Sequence, residues 1–511
     1  MSLAWHHVLF PAAWLIFIAF VPLFIIEKRV NKAWSFFGYS YLSFFIFNLT
    51  TTWWIYFASF FGAAMAIILN SLFMALVGYF YYLIKNNTAG RENHWIFIFL
   101  WITFEYLHLD WDLSWPWLTL GNVFAENHTW VQWYEYTGIL GGSLWVLLIN
   151  ILIFKTLDSY LLVKQNLFLK NVLAVLLFLL LPIFLGKYLY NNYQEEGIPS
   201  EIVVIQPNFD PYNEKFVTSP LEQLERMVAL AKQQISEKTE YIVLPETALP
   251  QGISENELDE NYDIKFLKNF LEDYPNIEIV TGISSYKFYE SDFPPTPTAR
   301  RTRNPGVYYD SYNTAMQLNT DNIELYHKSK LVPGVELMPF PAVFKYLENF
   351  AIDLGGASGS LGADKERRVF THQSKQHKIA PVICYESIYG EFVGEYMHKG
   401  ANAIFIITND GWWDDTPGYK QHLSYARLRA IETRKSIARS ANTGISAFVN
   451  QKGDISQATD WWVQDAIKAD VLMNDKTTFY TQYGDFIGRV FSMISFLLLF
   501  WWLSSILKKK N

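Results

Sequence analysis

A single cysteine, Cys384, is present among the 511 residues of this chain. It ends the string Ile-Ala-Pro-Val-Ile-Cys, a short apolar run typical of a β-strand, and Tyr385 and Glu386 follow it at once. One cysteine cannot form a disulfide within the chain, so its thiol serves packing or chemistry. A thiol is a good nucleophile only as the thiolate, so a chemical role requires a base or a positive charge nearby.

Two other strings place a charged residue directly after a strand-like run. Glu246 follows Tyr-Ile-Val-Leu-Pro, and Lys328 follows Leu-Tyr-His, with Glu336 eight residues further on. Reactive groups gather at strand ends in α/β folds. Glu246 is suited to accept the thiol proton, Lys328 to stabilise the thiolate and an oxyanion, and Glu336 to position an acyl group or a second proton. Together with Cys384, these residue types predict acyl transfer through a thioester.

Each of these residues also has a simpler explanation. A lone cysteine more often packs in a core than reacts. A glutamate after a strand is usually a cap or a surface group, and a lysine in a loop is usually solvated. Lys330, two residues beyond Lys328, is a rival for the same role. Only the conjunction of the three residue types favours chemistry.

The composition indicates two unlike parts. Hydrophobic residues make up 51% of the chain, aromatic residues 18% and charged residues 18%, which is too apolar for a wholly soluble enzyme and too polar for a pure transporter. The net charge of -8 gives no reason to expect a nucleic acid partner. The sequence has no Cys/His cluster with the spacing of metal ligands, so we expect neither a zinc site nor a cofactor.

Apolar stretches of about 20 residues, the length that crosses a bilayer, lie mainly in the N-terminal part. The first stretch lacks the basic segment and the cleavage site of a signal peptide, so we expect a retained anchor. The predicted domains are a membrane domain (1–189), a catalytic domain (190–485), and a C-terminal helix with a basic tail (486–511). The pattern predicts seven spans: His7–Ile26, Phe36–Phe57, Phe60–Ile84, His94–His108, Gly138–Leu157, Leu167–Leu189 and Phe486–Leu507.

The charges between these spans predict an orientation. The loops 58–59 and 109–137 contain no Lys or Arg. By the positive-inside rule the opposite, basic side is the cytoplasm, so the middle domain faces outward. The basic residues on that opposite side are Lys28, Arg29, Lys32, Lys85, Arg91, Lys155, Lys164, Lys170, Lys508, Lys509 and Lys510.

The polar middle part alternates strand-like with helix-like segments, which is typical of an α/β domain. Residues 293–305, rich in Pro, Thr and Arg, read as an exposed loop. We predict helices at Leu221–Ser236, Ile264–Glu272 and His422–Ser440. We predict strands at Ile202–Gln206, Tyr241–Pro245, Ile277–Ile283, Ile323–His327, Ile379–Cys384 and Ala403–Thr408.

These strings resemble, in this order, the motifs of the nitrilase (carbon–nitrogen hydrolase) superfamily. The resemblance rests on three strings: Pro-Glu-Thr-Ala (245–248), Tyr-His-Lys-Ser-Lys-Leu-Val-Pro (326–333) and Cys-Tyr-Glu (384–386). The added membrane helices resemble the apolipoprotein N-acyltransferase family of that superfamily. Further matches are Gln206-Pro-Asn, Tyr312-Asn-Thr-Ala, Asn409-Asp-Gly-Trp-Trp, Gln421-His and Ala441-Asn-Thr-Gly.

The resemblance implies a triad of Glu246, Lys328 and Cys384, supported by Glu336, Tyr385 and Glu386. It implies an α-β-β-α sandwich attached to a helical membrane bundle, in a bacterial inner membrane with the catalytic domain on the periplasmic side. The implied reaction moves an acyl chain from a phospholipid, through a Cys384 thioester, to the α-amine of a diacylglyceryl-cysteine on an apolipoprotein, by ping-pong kinetics and without a cofactor. We expect a monomer.

Three features depart from the family pattern. The chain has Pro333-Gly-Val-Glu where the family has Pro-Phe-Gly-Glu, which puts the aim of Glu336 in question. The family has eight spans and this sequence predicts seven. The span without a match is the first, so we expect either a shorter start or a missing upstream helix. The aromatic residue that the family has after its Gln-rich entry string lacks a clear match here, and Phe216 is the candidate.

Other residues of the membrane part are candidates for binding lipid. Trp115, Trp117, Trp130 and Trp133 lie in the 109–137 loop, where we predict that they line the path of an incoming lipid. An ordinary aromatic belt explains them equally well. Glu105 lies near the outer end of the fourth predicted span; it is either functional or directed to the interface.

Three further functions compete with acyl transfer. A membrane-tethered amidase acting on a small amide would use the same triad without lipid. A receptor or transporter could retain an inactive nitrilase-like domain, although such a binding module has no need of all three triad residues. A purely structural protein is the third.

Overall fold

The computed structural model describes residues 1–5, 12–87, 93–215, 217–340 and 360–510. The chain divides into two compact units. The first consists of Met1–Tyr56, Phe60–Tyr193 and Tyr483–Asn511, and the second of Phe57–Ser59 and Gln194–Gln482. Phe216, Arg91 and the start of the predicted span His7–Ile26 lie outside the described residues.

The first unit is helical. Short 3-10 turns occur at Ser2–Trp5, Ala12–Ile18, Pro116–Leu118, Leu120–Phe124 and His128–Trp130. Its α-helices are Val21–Arg29, Ala33–Thr52, Ile55–Ala58, Phe60–Asn87, Trp95–Leu107, Tyr134–Leu161, Gln165–Asn192 and Phe486–Lys510.

Within the described ranges, four helices are long and apolar enough to cross a bilayer, and the protein is therefore a membrane protein. They correspond to four of the seven predicted spans. The four are Phe60–Asn87, Tyr134–Leu161, Gln165–Asn192 and Phe486–Lys508.

The other three predicted spans are shorter or interrupted. The segment Phe36–Phe57 is divided between the helices Ala33–Thr52 and Ile55–Ala58. The fourth predicted span is the 13-residue helix Trp95–Leu107, which is about 20 Å long and too short for the hydrocarbon layer. In the described part of the first span, the turn Ala12–Ile18 precedes a separate helix that begins next to Pro22.

Lys85, predicted to be a loop charge, instead lies buried in the helix Phe60–Asn87. Its Nζ is 2.5 Å from Glu27 Oε2, and both side chains are almost fully enclosed. A buried charge is stable only when it is paired, and this ion pair satisfies that need inside the unit. Lys85 therefore carries less weight in the orientation argument than the exposed lysines.

The second unit contains two mixed β-sheets. The strands are β1 Ile198–Gln206, β2 Thr239–Val243, β3 Leu249–Ser254, β4 Glu278–Glu290, β5 Arg300–Arg301, β6 Val307–Leu318, β7 Ile323–His327, β8 Phe370–Thr371, β9 Lys378–Ile383, β10 Ala403–Thr408, β11 Ile437–Ala441, β12 Ala447–Val449, β13 Ile455–Ser456 and β14 Asp465–Met473. The first sheet has the order β14-β1-β2-β4-β6-β5, with β3 on β4 and β7 on β6, and the second runs β13-β12-β11-β10-β9-β8.

Helices cover both sheets. Helices Pro220–Gln234 and Tyr262–Glu272 bury apolar side chains against the first sheet, whereas helices Gly390–His398 and Pro417–Thr433 pack on the second. The sheets also contact each other, because the ring of Tyr241 on β2 meets that of Phe405 on β10 edge-on at 5.1 Å. This α-β-β-α sandwich confirms the predicted fold class. The short helix Phe479–Tyr483 follows β14.

The six predicted strands and two of the predicted helices are present. Strands β7 and β10 have the predicted bounds, whereas the other four strands and the two helices have shifted ends. The predicted helix His422–Ser440 is wrong at its C-terminal end. The helix ends at Thr433, Arg434 adopts a left-handed conformation with φ 51°, and Ile437–Ala441 forms strand β11. Residues 293–305 are largely exposed, as expected of a loop, apart from the two-residue strand β5.

Strand directions bring the ends of β2 and β7 to one edge of the first sheet. Strand β2 is parallel to β4, β4 is antiparallel to β6, and β6 is antiparallel to β7. Strand β7 therefore runs in the same direction as β2, and the residues that follow these two strands emerge on the same side.

Candidate active site

Lys328 lies between two carboxylates in the second unit. Its Nζ is 3.2 Å from Glu246 Oε1 and 2.9 Å from Glu336 Oε1, and its side chain is 1% exposed. Burial lowers the pKa of Lys328, but Glu246 and Glu336, with a smaller contribution from Cys384, raise it well above its usual value. The lysine is therefore a permanently charged ammonium group in this site.

Glu246 is held through both carboxylate oxygens. Asn313 Nδ2 donates to Oε1 at 2.7 Å, and the backbone N–H of Asn409 donates to Oε2 at 3.1 Å. Gly282 lets the turn at Glu246 and Thr247 approach strand β4, because a Cβ there would lie 2.4 Å from Thr247 N. The backbone of β4 and the donors from two other segments thus fix the position of the carboxylate.

Cys384 follows strand β9 and begins the 3-10 turn Cys384–Ile388. Its φ of 50° is in the left-handed region, which is strained for a residue with a side chain. Its carbonyl oxygen accepts a hydrogen bond from Ser387 Oγ at 2.7 Å, and His422 Nε2 lies 3.2 Å away. These contacts hold the sharp turn that presents the thiol.

The surroundings keep the thiol protonated at neutral pH. Burial of the sulfur raises the pKa of Cys384 above its usual range, and the negative charges of Glu246 and Asp410 raise it further. Lys328 and a hydrogen bond with Thr408 lower it by less. The residue as a whole is half-buried, so part of its surface remains accessible. A neutral thiol beside a carboxylate is the arrangement in which a base must accept the proton before attack.

Lys328, not the rival Lys330, is the lysine that faces the two carboxylates. Lys330 Nζ lies over the ring of Tyr389 at 5.2 Å from its centre. Tyr385 is buried and packs edge-on against Tyr389, with 5.3 Å between ring centres. Tyr385 therefore packs at the turn that begins with Cys384.

Glu386 is buried and linked to backbone groups on both sides of the site. Its Oε1 accepts from Tyr326 OH and from Ser329 N, both at 2.7 Å, and its Oε2 accepts from Ile383 N at 2.8 Å. It therefore joins the end of β9 to the segment that carries Lys328.

The Pro333-Gly-Val-Glu departure does not move Glu336 away from the lysine. Gly334 takes a φ of 79°, and Glu336 Oε2 accepts from the backbone N–H of Val332 at 2.9 Å. This turn leaves Oε1 directed at Lys328 and within 3.0 Å of Asn313 Nδ2.

The candidates for lipid binding belong to the first unit. Glu105 Oε1 accepts hydrogen bonds from Trp101 Nε1 at 3.0 Å and from Leu120 N at 2.9 Å, so this side chain braces the 116–124 loop. Trp117 is 1% exposed and stacks on Trp115, with 5.5 Å between ring centres. These contacts favour a packing role for Trp117, and lipid binding by this group stays a prediction.

Trp130 and Trp133 are also buried in the first unit, each with 9% of its surface exposed. Trp133 Nε1 donates to the carbonyl oxygen of Trp130 at 2.9 Å, and Trp130 packs against Trp14. Their rings fill the interior of the unit, which favours packing for them too.

Sequence reasoning missed several polar residues of the site. Asn313 and Asn409 lay in matched motifs but received no role. Lys215, whose Nζ is 3.2 Å from the carbonyl oxygen of Glu246, lies in a loop directly before Phe216 in the sequence and follows no strand-like run that would mark it as a candidate. Asp410 bonds both His422 and Arg439 beneath the Cys384 turn. Across the described part of the chain, no group of three or more His, Cys, Asp or Glu side chains is arranged to hold a metal ion.

Two family descriptions match the chain in succession. The apolipoprotein N-acyltransferase N-terminal domain matches residues 1–152, and carbon-nitrogen hydrolase matches residues 204–479. The second match covers more than half of the chain and contains each member of the Glu246–Lys328–Cys384 set.

Curated relatives match over almost the full length. The apolipoprotein N-acyltransferase of Chlorobaculum tepidum is 30% identical in an alignment of 493 residues that covers 94% of this chain and 89% of that protein. Apolipoprotein N-acyltransferase 1 of Treponema denticola is 25% identical, covering 94% of this chain and 90% of the relative. The chain therefore belongs to the apolipoprotein N-acyltransferase family, acyltransferases of the nitrilase superfamily that combine a carbon–nitrogen hydrolase domain with membrane helices.

Proposed function

We propose that this protein moves an acyl chain from a membrane phospholipid to the α-amine of an N-terminal diacylglyceryl-cysteine, through a thioester on Cys384. The observation that carries the proposal is the buried Glu246–Lys328 pair, 3.2 Å apart, whose charges both act on the protonated thiol. A base and a cation around one thiol supply what thioester formation needs.

In the first half-reaction Glu246 accepts the Cys384 proton and the sulfur attacks the ester carbonyl carbon of the phospholipid. The carbonyl oxygen becomes an oxyanion, which Lys328 stabilises. Among the described residues, the ammonium group of Lys328 donates two of its three hydrogens to carboxylates, so the third is the one that would bind this oxyanion. The ester C–O bond then breaks, and the proton on Glu246 passes to the departing lysophospholipid oxygen. Cys384 is left as a thioester.

In the second half-reaction the α-amine of the acceptor attacks the thioester carbonyl carbon. Glu246 accepts a proton from the amine, the C–S bond breaks, and the proton returns to the thiolate of Cys384. The products are an amide and the free thiol, so the enzyme is regenerated. Glu246 therefore acts first as a base and then as an acid in each half-reaction. It takes the proton from the attacking group and gives it to the leaving group.

We assign the supporting roles by contact. Glu336 holds the ammonium of Lys328 from the side opposite Glu246 and shares Asn313 with it. Glu386 joins the nucleophile turn to the Lys328 segment, and Tyr385 packs beside the nucleophile. None of these three needs to exchange a proton with substrate.

We place the protein in the bacterial inner membrane with the catalytic domain on the periplasmic side. The exposed lysines Lys28, Lys164 and Lys170 support this orientation, since they fall on the same predicted side of the membrane. The proposed acceptor, a lipid-modified N-terminus, belongs to the outer leaflet in this arrangement.

Mass spectrometry of the intact protein tests the chemistry. After incubation with phospholipid vesicles we expect a mass gain of one acyl chain on Cys384, discharged by a diacylated lipopeptide. Glu246→Gln should slow acylation by about 10²–10⁴-fold, and the exposed Glu257→Gln should match the parent protein. No acyl-enzyme, with turnover of a small amide, would instead identify an amidase. Full cellular function of Cys384→Ala would point to a non-catalytic role.

A further inference from the structure

A second buried lysine, Lys215, reaches the same carboxylate residue as Lys328 but from its backbone side. Its Nζ donates to the carbonyl oxygen of Glu246 at 3.2 Å and to Thr247 Oγ1. Lys215 is 2% exposed. Its own backbone is held by Gln223 Nε2, which donates to the Lys215 carbonyl oxygen at 2.8 Å. The loop after β1 thus delivers an ammonium group into the interior.

The charges of the site explain why a second cation is useful. Glu246 and Glu336 share the single ammonium group of Lys328, which leaves this cluster one negative charge in excess. Asp410 also raises the pKa of Cys384, but its charge is balanced by Arg439, so it does not change the net charge of the cluster. An unbalanced buried charge lowers the stability of the fold, and here the negative charge also opposes ionisation of Cys384. The ammonium of Lys215 balances the cluster.

We propose that Lys215 is a positioning residue for the acyl transfer: it fixes the Glu246–Thr247 turn and, by neutralising the carboxylate cluster, lowers the cost of forming the Cys384 thiolate. The inference rests on the proposed role of Cys384 as nucleophile. Thr247 has a φ of 47°, so the turn that Lys215 holds is a strained one that needs external contacts.

The protonation state of Lys215 makes this role measurable, because the stability of the Cys384 thiolate then depends on pH. Burial lowers the pKa of Lys215 to about 8, against the opposing effects of Glu246 and Cys384. The titratable groups that act on Lys215 are therefore Glu246 and Cys384, the two groups between which the proton is transferred. Below pH 8 the ammonium favours the thiolate; above pH 8 that help is lost, because the lysine becomes neutral.

Alkylation of Cys384 by iodoacetamide measures the thiolate without any lipid, and the single cysteine makes the label unambiguous. On the full chain in detergent, Lys215→Met should lower the rate at pH 7 by about tenfold, which corresponds to about one unit in thiol pKa. Lys215→Arg should stay within about threefold of the parent, as should the exposed control Lys238→Met. In the parent protein the rise of rate with pH should flatten near pH 8, and in Lys215→Met it should stay steep.

If Lys215→Met has the same alkylation rate and the same pH dependence as the parent protein, the proposal is overturned. If that variant unfolds, its cysteine will react faster than in the parent, and Lys215→Gln, which can still donate to the Glu246 carbonyl, then carries the comparison with the same tenfold loss expected. The parent profile needs no variant, so an uninterrupted rise between pH 7 and 9 also contradicts the proposal. Failure of phospholipid to acylate Cys384, with the alkylation results as expected, would refute the substrate assignment alone.

Discussion

Glu386 accepts a hydrogen bond from the backbone N–H of Ser329 at 2.7 Å, and this contact ties the turn Cys384–Ile388 to the segment that carries Lys328. Glu386 follows Cys384 by two residues, and Ser329 follows Lys328 directly. The two segments come from different sheets, so their spacing depends on a side chain that bridges them. The position of the thiol relative to the ammonium is therefore set partly by a residue that need not touch the substrate.

Glu386→Gln should disrupt this bridge. A glutamine has one acceptor oxygen, so its amide nitrogen would face a backbone N–H donor of Ser329 or Ile383. A buried donor left without its acceptor costs about 1–3 kcal/mol. We expect a lower thermal unfolding midpoint and slower acylation together. Glu366→Gln, at a side chain 81% exposed, should change neither; an unaltered midpoint in Glu386→Gln would contradict the bridge.

Lys328→Met and Lys330→Met should differ sharply. The first substitution leaves Glu246 and Glu336 buried without their shared cation, which costs about 3–5 kcal/mol. It also removes the group proposed to stabilise the oxyanion, so we expect acylation of Cys384 to fall by at least about 10²-fold. Lys330→Met removes a cation over a ring and should keep most of the activity. Burst-phase measurement of acyl-enzyme distinguishes them; equal losses would refute the assignment.

His327 should make stability fall as pH rises above neutrality. Burial lowers the pKa of His327, but its hydrogen bonds with Asp364 and Glu255 outweigh this and raise it to about 9. A folded-state pKa above the unfolded value of about 6.5 gives stability that is complete below pH 6.5 and lost by about pH 9. The expected loss is at most about 3 kcal/mol.

Unfolding midpoints between pH 6 and 9.5 test this dependence on the full chain. His327→Gln should flatten the decline, and the exposed His398→Gln should leave it as in the parent. An identical decline in all three proteins would assign it to other groups.

Glu105→Leu, which removes the acceptor oxygen, should act on stability and not on substrate affinity. The carboxylate oxygen that accepts from Trp101 and Leu120 holds the 116–124 loop inside its own unit. We expect a lower unfolding midpoint with the phospholipid KM unchanged. A raised KM at an unchanged midpoint would instead support the predicted role in lipid binding.

The predicted orientation can be checked with single cysteines in a Cys384→Ala background. Asp292→Cys lies in an exposed loop of the second unit, and Lys164→Cys is exposed between two long apolar helices. A membrane-impermeant maleimide should label the first in intact spheroplasts and the second only after permeabilisation. The reverse pattern would invert the positive-inside assignment.

Local patterns were enough to predict the strands that end at the site. Strands β1, β9 and β10 are buried on both faces, so they read as continuous apolar runs that end at polar residues. Strand β6 escaped detection because its polar residues fall in adjacent pairs, Asp310-Ser311 and Asn313-Thr314, which give neither a continuous apolar run nor a regular alternation. The predicted end of the helix at Ser440 failed because the change of direction at Arg434 is not encoded by Gly or Pro.

The order of residue types along the chain determined by itself that Glu246, Lys328 and Cys384 are chemical candidates, because each directly follows a strand-like run. Only the tertiary structure decided which lysine faces the carboxylates, since Lys328 and Lys330 differ in the direction of their side chains and not in local pattern. It also revealed Lys215, whose ammonium group reaches the carbonyl oxygen of Glu246 although the two residues are 31 positions apart in the chain. Charge balance inside a core is a property of distances, and the linear order of residues does not contain them.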